Sequence, residues 1–131
     1  MTDLRSTLPA RALAARDMAY APYSKFRVGS ALLTADGTVY TGCNVENASY
    51  GGAICAERTA VVKAVSEGHQ KFTAIAVASD LTTFCSPCGI CRQFMSEFGT
   101  DLEVIMVTTD GQTSIHTLDS LLPYSFGPKD L

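Results

Sequence analysis

The chain has no tryptophan and only two histidines, His69 and His116, and neither sits in a motif. A metal site built on imidazoles is therefore not expected. His69 follows Gly68, a helix-stopping residue, and is expected in solvent, while His116 falls in a short polar strand. Long hydrophobic runs are missing as well. No stretch approaches the roughly 18 apolar residues that a membrane span needs. The N-terminal Met1-Thr-Asp-Leu-Arg-Ser-Thr lacks a basic segment leading into an apolar block, so no secretory signal is expected and the expected compartment is the cytoplasm. Nor is there an excess of positive charge. Ten Lys+Arg against thirteen Asp+Glu leave a net charge of −3. Binding to nucleic acid or to an anionic membrane surface normally needs the opposite sign, so neither is expected as a partner. Gly51-Gly52 is not followed by the Lys-Ser/Thr of a phosphate loop and reads as a backbone turn. Repeats, low-complexity tracts and Pro/Ser-rich linkers are absent too. At roughly 150 residues per domain, residues 1–131 are expected to form a single domain.

What is present suits a packed core: 47 % of the residues are hydrophobic and 18 % charged. Leu8, Ala12, Ala15 and Ala19 recur at helical spacing and predict a first helix ending near Tyr20, with Pro9 in its first turn. Apolar or β-branched runs over 28–35 and 38–44 flank Asp36-Gly37, which predicts a hairpin closed by a two-residue link. Ala56, Ala60, Ala64 and Val65 mark a second helix that Gly68 should stop. A buried strand is predicted over 72–79, a helix over 88–98 closed by Gly99, and a strand over 102–108. Asp110-Gly111 then turns into a short strand over 113–117, before a helical turn at 119–122. Helices alternating with apolar strands predict a layered α/β domain whose helices cover a central sheet.

Five cysteines, Cys43, Cys55, Cys85, Cys88 and Cys91, are an odd, clustered set. In a reducing compartment such a set points to metal binding or catalysis before disulfides. Pro87-Cys88-Gly89-Ile90-Cys91 puts two thiols at the start of a predicted helix, where they can close on one tetrahedral Zn²⁺ and the helix end lowers their pKa. A thioredoxin-like redox pair or a buried structural pair fits the same spacing. Cys55-Ala56-Glu57 adds a third thiol at another helix start, and three protein ligands with an open position is the layout of a catalytic zinc. Glu57, two residues on, is near enough to handle protons of a metal-bound water without being a ligand. Taken by itself, Glu57 in a first turn is also explained by favourable pairing with the helix dipole. The combination Cys-x-Glu…Pro-Cys-x-x-Cys is the three-cysteine form of the signature of zinc nucleobase deaminases.

Cys85 and Cys88 form a second Cys-x-x-Cys, but Cys85 precedes Pro87, whereas Cys88 and Cys91 share a helical turn. Cys88 and Cys91 are therefore assigned as ligands, and Cys43 is read as a small core residue. Three thiolates on Zn²⁺ leave about −1 of charge, which opposes acidification of a bound water. Two helix N-termini offset it, as would Arg58 donating to one or two sulfurs; the alternative for Arg58 is a surface salt bridge.

With Asn44-Val45-Glu46-Asn47-Ala48-Ser49-Tyr50, Cys55-Ala56-Glu57-Arg58-Thr59-Ala60 and Pro87-Cys88-Gly89-Ile90-Cys91-Arg92-Gln93, the sequence resembles the small homotetrameric cytidine deaminases. Tyr23-Ser24-Lys25-Phe26, Val28-Gly29, Leu121-Leu122-Pro123 and Ser125-Phe126-Gly127-Pro128 extend the match nearly end to end. The resemblance implies a three-layer α/β/α fold around a five-stranded mixed sheet, and one zinc per subunit on Cys55, Cys88 and Cys91. It implies hydrolytic deamination of cytidine and deoxycytidine, in which water adds at C4 and Glu57 carries the protons. Phe26 would pack on the pyrimidine, and Asn44 and Glu46 would bind the ribose hydroxyls. Asn47 and Tyr50 would complete that loop, and the Ala56 amide and Ser86 carbonyl would address the base. Phe126 would reach a neighbouring subunit's site, making each active site composite. The chain departs from the pattern at Ser30, where alanine is usual, at Cys85 and at Gly51-Gly52.

Other readings predict different chemistry. A deaminase for a modified cytosine nucleoside shares the zinc motif. Polynucleotide editing needs a basic, stacking groove that the net charge disfavours. A structural zinc module predicts a fourth ligand, such as Cys85 or Cys43.

Overall fold

A computed structural model describes residues 3–131. Five strands, β1 (Val28–Thr34), β2 (Val39–Cys43), β3 (Phe72–Ser79), β4 (Glu103–Val107) and β5 (Thr113–Thr117), form one mixed sheet in the order β2-β1-β3-β4-β5. Only β3 and β4 run parallel; the remaining neighbours are antiparallel. The helices are α1 (Leu8–Arg16), α2 (Ala56–Ser66), α3 (Gly89–Ser96) and the single turn α4 (Leu118–Leu121).

Alternation along the strands explains the three layers. Ala31 and Leu33 of β1, Ala74, Ala76 and Ala78 of β3, and Ile105 and Val107 of β4 face one way and pack with Leu8 and Ala12 of α1. Their neighbours Leu32, Ile75, Val104 and Met106 face the other way, against Ala60, Val61 and Ala64 of α2 and Cys91 and Met95 of α3. Successive side chains of a strand point to opposite faces, so short apolar runs feed two cores at once. This is the three-layer arrangement that the family resemblance implies.

Glycine allows two helices to come unusually close. A Cβ on Gly29 would lie 2.1 Å from the Ala12 carbonyl of α1, and one on Gly42 would lie 2.5 Å from the Ala56 carbonyl of α2. Gly42 thus sets how far the first turn of α2 stands off β2.

Several expectations shift in detail. α1 ends at Arg16, not near Tyr20, because the Tyr20 N–H pairs with the Asn44 carbonyl at 3.0 Å and the Tyr20 carbonyl takes the Glu46 N–H at 2.8 Å. The hairpin turn is longer than a two-residue Asp-Gly link. Gly37 has φ +92, its N–H bonds the Thr34 carbonyl at 3.1 Å, and the Thr34 N–H bonds the Thr38 carbonyl at 2.9 Å. Thr108–Gln112 repeats this geometry, with Gly111 at φ +90. In both turns the threonine hydroxyl donates to the aspartate carboxylate, at Asp36 and Asp110. The helix stop at Gly68 takes its expected form, with φ +97 and the His69 N–H reaching back to the Ala64 carbonyl at 3.0 Å. His69 is only partly solvated. It packs on Tyr40, with ring centroids 5.5 Å apart, and lies 3.5 Å from Asp36.

The sheet directions gather three segments at one edge. β1 begins, and β2 and β3 end, on the same side, with Val28 opposite Ser79 and Gly29 opposite Cys43. The chain entering β1, the loop from β2 to α2 and the loop from β3 to α3 therefore emerge together.

Candidate metal centre and substrate cavity

Cys55 is the N-cap of α2 and Cys88 the N-cap of α3, so both sulfurs stand at positive helix ends. Cys91 is buried in the first turn of α3. The Sγ atoms of Cys55, Cys88 and Cys91 lie within 4.8 Å of one another, and the Cys55 and Cys88 sulfurs are 3.6 Å apart. Tetrahedral zinc with bonds of about 2.3 Å separates its sulfurs by about 3.8 Å, so the donor set fits Zn²⁺ in both chemistry and spacing. Cys85 lies outside this group, and Cys43 is half-buried at the end of β2, with its sulfur 3.5 Å from the Met18 carbonyl rather than in either core.

Charge around the sulfurs is managed by the same helix. The Arg58 guanidinium donates from Nη2 to Cys55 Sγ at 3.5 Å, one turn into α2, and is a sulfur partner rather than part of a surface salt bridge. A hydrogen bond from Cys91, followed by those of Arg58 and Cys88, pulls the Cys55 thiol down. The same bond and burial push the Cys91 thiol up. Glu57 is only 3 % exposed and faces the sulfurs of Cys91 and Cys55. Burial raises its carboxyl to about 7.

Cys55, Ala56, Glu57 and Cys88 line a cavity of about 280 Å³ together with Asn44, Glu46 and Ser86. A second recess of about 370 Å³, lined by Tyr23, Ser24, Glu46, Asn47, Tyr50 and Ala53, adjoins it through the shared Glu46 and Ala53. The polar groups are already part-occupied. Asn44 Oδ1 accepts the Val28 N–H at 2.9 Å and its Nδ2 donates to the Phe26 carbonyl at 2.9 Å. Glu46 accepts the N–H groups of Tyr23 at 3.0 Å and Ser24 at 3.2 Å, together with the Ser24 hydroxyl. The Ser24 hydroxyl, foremost, holds the Glu46 carboxyl below its usual range. The Asn47 side chain accepts the Ser49 N–H at 2.9 Å, and Tyr50, 80 % exposed, meets Tyr23 edge to face at 6.3 Å.

Two expected site residues stand apart. Phe26 and Phe126 line neither recess; Phe26 is half-buried, and Phe126 is 59 % exposed, with its carbonyl accepting from Gln93 Nε2 at 2.8 Å. Conversely, Val28, Val45, Ala53, Ile54, Val77 and Cys85 line the inner cavity although the sequence reading did not single them out for it. Their signal was only positional: Val28 starts β1, Val77 lies near the end of β3, and the others sit in the loops leaving the shared sheet edge.

Fold and site together define an α/β protein with three clustered cysteines able to hold a metal ion, beside a buried acid, at a small, largely apolar cavity. Residues 3–108 match the family described as the cytidine and deoxycytidylate deaminase zinc-binding region, and the chain belongs to that family. A probable cytidine deaminase of Dictyostelium discoideum is 56 % identical over 114 residues, spanning 86 % of this chain and 77 % of that one. A cytidine deaminase of Sporosarcina psychrophila is 49 % identical over 118 residues, 89 % of this chain and 87 % of the relative. The crystal structure of cytidine deaminase from Burkholderia pseudomallei matches with a TM-score of 0.90 at 48 % identity, covering 96 % of this chain and 100 % of that one.

Proposed function

We propose that the chain is a zinc-dependent cytidine deaminase that hydrolyses cytidine and deoxycytidine to uridine and deoxyuridine, with release of ammonia, as a cytoplasmic step of pyrimidine salvage. The observation that carries this is the meeting, at one cavity, of Cys55 and Cys88 from the three-sulfur group, the buried Glu57 carboxyl and the polar pair Asn44 and Glu46. Zinc on Cys55, Cys88 and Cys91 would supply the acidity that makes water a nucleophile near neutral pH.

Glu57 takes a proton from the attacking water and delivers it to N3 of the base; it then takes the proton of the hydroxyl added at C4 and passes it to the amino group, which leaves as ammonia as the C4 carbonyl forms. Burial pushes its carboxyl up, toward a group that can both take and return a proton. The Ala56 N–H is among the first N–H groups of α2, which lack helical partners, and so is suited to a carbonyl on the base. The Ser86 carbonyl serves the amino group. Asn44 has one donor and one acceptor left beyond its two backbone bonds, enough for a ribose hydroxyl. Glu46, with three of about four acceptor sites in use, takes another. Its negative charge disfavours a 5′-phosphate and selects nucleosides over nucleotides. Asn47 and Tyr50 complete the outer recess, and Phe26 turns inward to stack on the base.

A homotetramer with composite sites, built from a single domain of residues 1–131, belongs to the same proposal. Val45, Ile54 and Val62 are exposed and, with Phe94, rim an apolar recess of about 430 Å³. Exposed apolar clusters of this kind mark association surfaces. The exposed Phe126, outside its own chain's cavity, is free to serve a neighbouring one.

The test is the ultraviolet absorbance of cytidine incubated with zinc-loaded protein, repeated with Glu57→Gln. Loss of the cytidine band with the wild type, and a rate at least about a thousandfold lower in the variant at full zinc content, is expected. An unchanged band with zinc bound would overturn the substrate, and an active Glu57→Gln would overturn the proton carrier.

A further inference from the structure

We propose that Asp80 is a positioning residue for nucleoside binding: it pins the segment entering β1 to the loop that carries Cys88, and acts through Phe26 and Asn44. The proposal uses the cytidine deamination above for its readout.

Arg27 and Asp80 flank the terminal Val28–Ser79 pair of β1 and β3. Asp80 Oδ2 accepts the Arg27 backbone N–H at 2.9 Å and Nε at 3.3 Å, while Oδ1 accepts Nη2 at 2.8 Å. A fork-on-carboxylate pair reinforced by a main-chain bond fixes geometry in a way that a single surface ion pair does not. From the opposite side, Asn44 holds the Phe26 carbonyl and the Val28 N–H. Residues 26–28 are thus suspended between two side chains: Asn44, which lines the cavity, and Asp80, which does not.

Asp80 itself is firmly placed. The part-buried Arg16 guanidinium lies 3.7 Å from Oδ1 and donates to the Ser79 carbonyl and to Thr109 Oγ1, each at 2.9 Å. The Leu81 N–H bonds Ser79 Oγ at 3.1 Å, and the Leu81 carbonyl accepts the Thr109 N–H at 2.8 Å. The anchor is therefore rigid on the sheet side. On the other side, the segment it holds carries Phe26 and meets the amide that has to offer its last donor and acceptor to a ligand. Losing the anchor leaves the sulfur group untouched and lets residues 26–28 drift, so binding suffers before chemistry does.

The experiment is steady-state kinetics on cytidine with zinc-loaded wild type, Asp80→Ala, Asp80→Asn and Arg27→Gln, together with zinc content and calorimetric binding of uridine. Asp80→Ala is expected to raise KM, and to weaken uridine, by about tenfold with kcat within about twofold and zinc at the wild-type level. Asp80→Asn, which keeps an acceptor for the Arg27 N–H, and Arg27→Gln, which keeps that N–H, are each expected to raise KM by only about threefold. A KM within about twofold of wild type in Asp80→Ala, or loss of zinc and kcat at unchanged KM, would overturn the proposal. If Asp80→Ala does not fold, unchanged KM in both milder variants overturns it equally. A wild type inactive on cytidine sinks the proposed activity instead, and uridine binding then decides the role of Asp80 alone.

Discussion

Ser30 is fully buried in β1, and its hydroxyl donates to the Ala56 carbonyl at 2.8 Å, tying the central sheet to the first residue of α2. A buried neutral hydrogen bond contributes about 1 kcal/mol, so Ser30→Ala is expected to lower the unfolding free energy by about that amount in denaturant titration of the zinc-loaded protein. Glu46 makes a different prediction. Its carboxyl is held below the ordinary 4.5, chiefly by the Ser24 hydroxyl. The contribution of its bonds is complete above that value and is lost as pH falls through the lower, folded-state value. KM for cytidine, followed downward in pH, is therefore expected to stay flat until below about pH 4.5 in the Glu46-dependent part, and Glu46→Gln is expected to abolish the acid limb. The three cysteines that cluster, and the buried Glu57 beside them, could be picked out in the sequence because the spacing is local: Cys55 and Glu57, and Cys88 and Cys91, each lie within one helical turn. Pro87 already set Cys85 apart from the Cys88 and Cys91 pair in the sequence, but its place in the cavity wall was not legible, because only the fold brings the β3–α3 loop to the cavity. The Tyr40 face that takes up His69 is likewise a long-range contact, invisible to local patterning.

Among the elements, β2 and α2 are the pair on which the site depends most. A Cβ on Gly42 would lie 2.5 Å from the Ala56 carbonyl and 2.7 Å from the Ala60 nitrogen, both backbone atoms that cannot step aside. Gly42→Ala is expected to cost about 1–3 kcal/mol through forced backbone shifts, and to weaken zinc retention against a chelator because the clash falls on Ala56, the residue next to Cys55. Gly51→Ala, where an added Cβ meets nothing within 4 Å, is the control expected to change neither. Element types were readable from periodicity and turn residues, and the Schellman stop at Gly68 follows from the sequence alone. The end of α1 was not, because Ala19 and Tyr20 continue the helical spacing while the backbone of Tyr20 is claimed by Asn44 and Glu46. Both Asp-Gly turns were readable as turns. Their longer form depends on Thr34 and Thr108, whose hydroxyls compete for the aspartate carboxylates.

At the scale of the whole molecule, one sheet with a core on each face brings three segments, far apart in sequence, to one edge. Strand order could not be read from the chain, because pairing such as Val28 with Ser79 is decided by packing across long separations. The layered arrangement could, because helices alternate along the chain with apolar strands that have to be covered. No described helix is long and apolar enough to cross a membrane. The exposed Val62 in the apolar recess gives the assembly prediction: Val62→Lys is expected to lower the sedimenting mass, and Phe126→Ala to reduce activity at unchanged zinc content and unchanged mass. The measurement that bears most directly on the metal centre is zinc content per chain across alanine variants of the five cysteines. Loss of zinc at Cys55, Cys88 and Cys91, with retention at Cys43 and Cys85, is the predicted result. Retention at any of the first three, or loss at Cys85, would contradict a three-cysteine site with an open position.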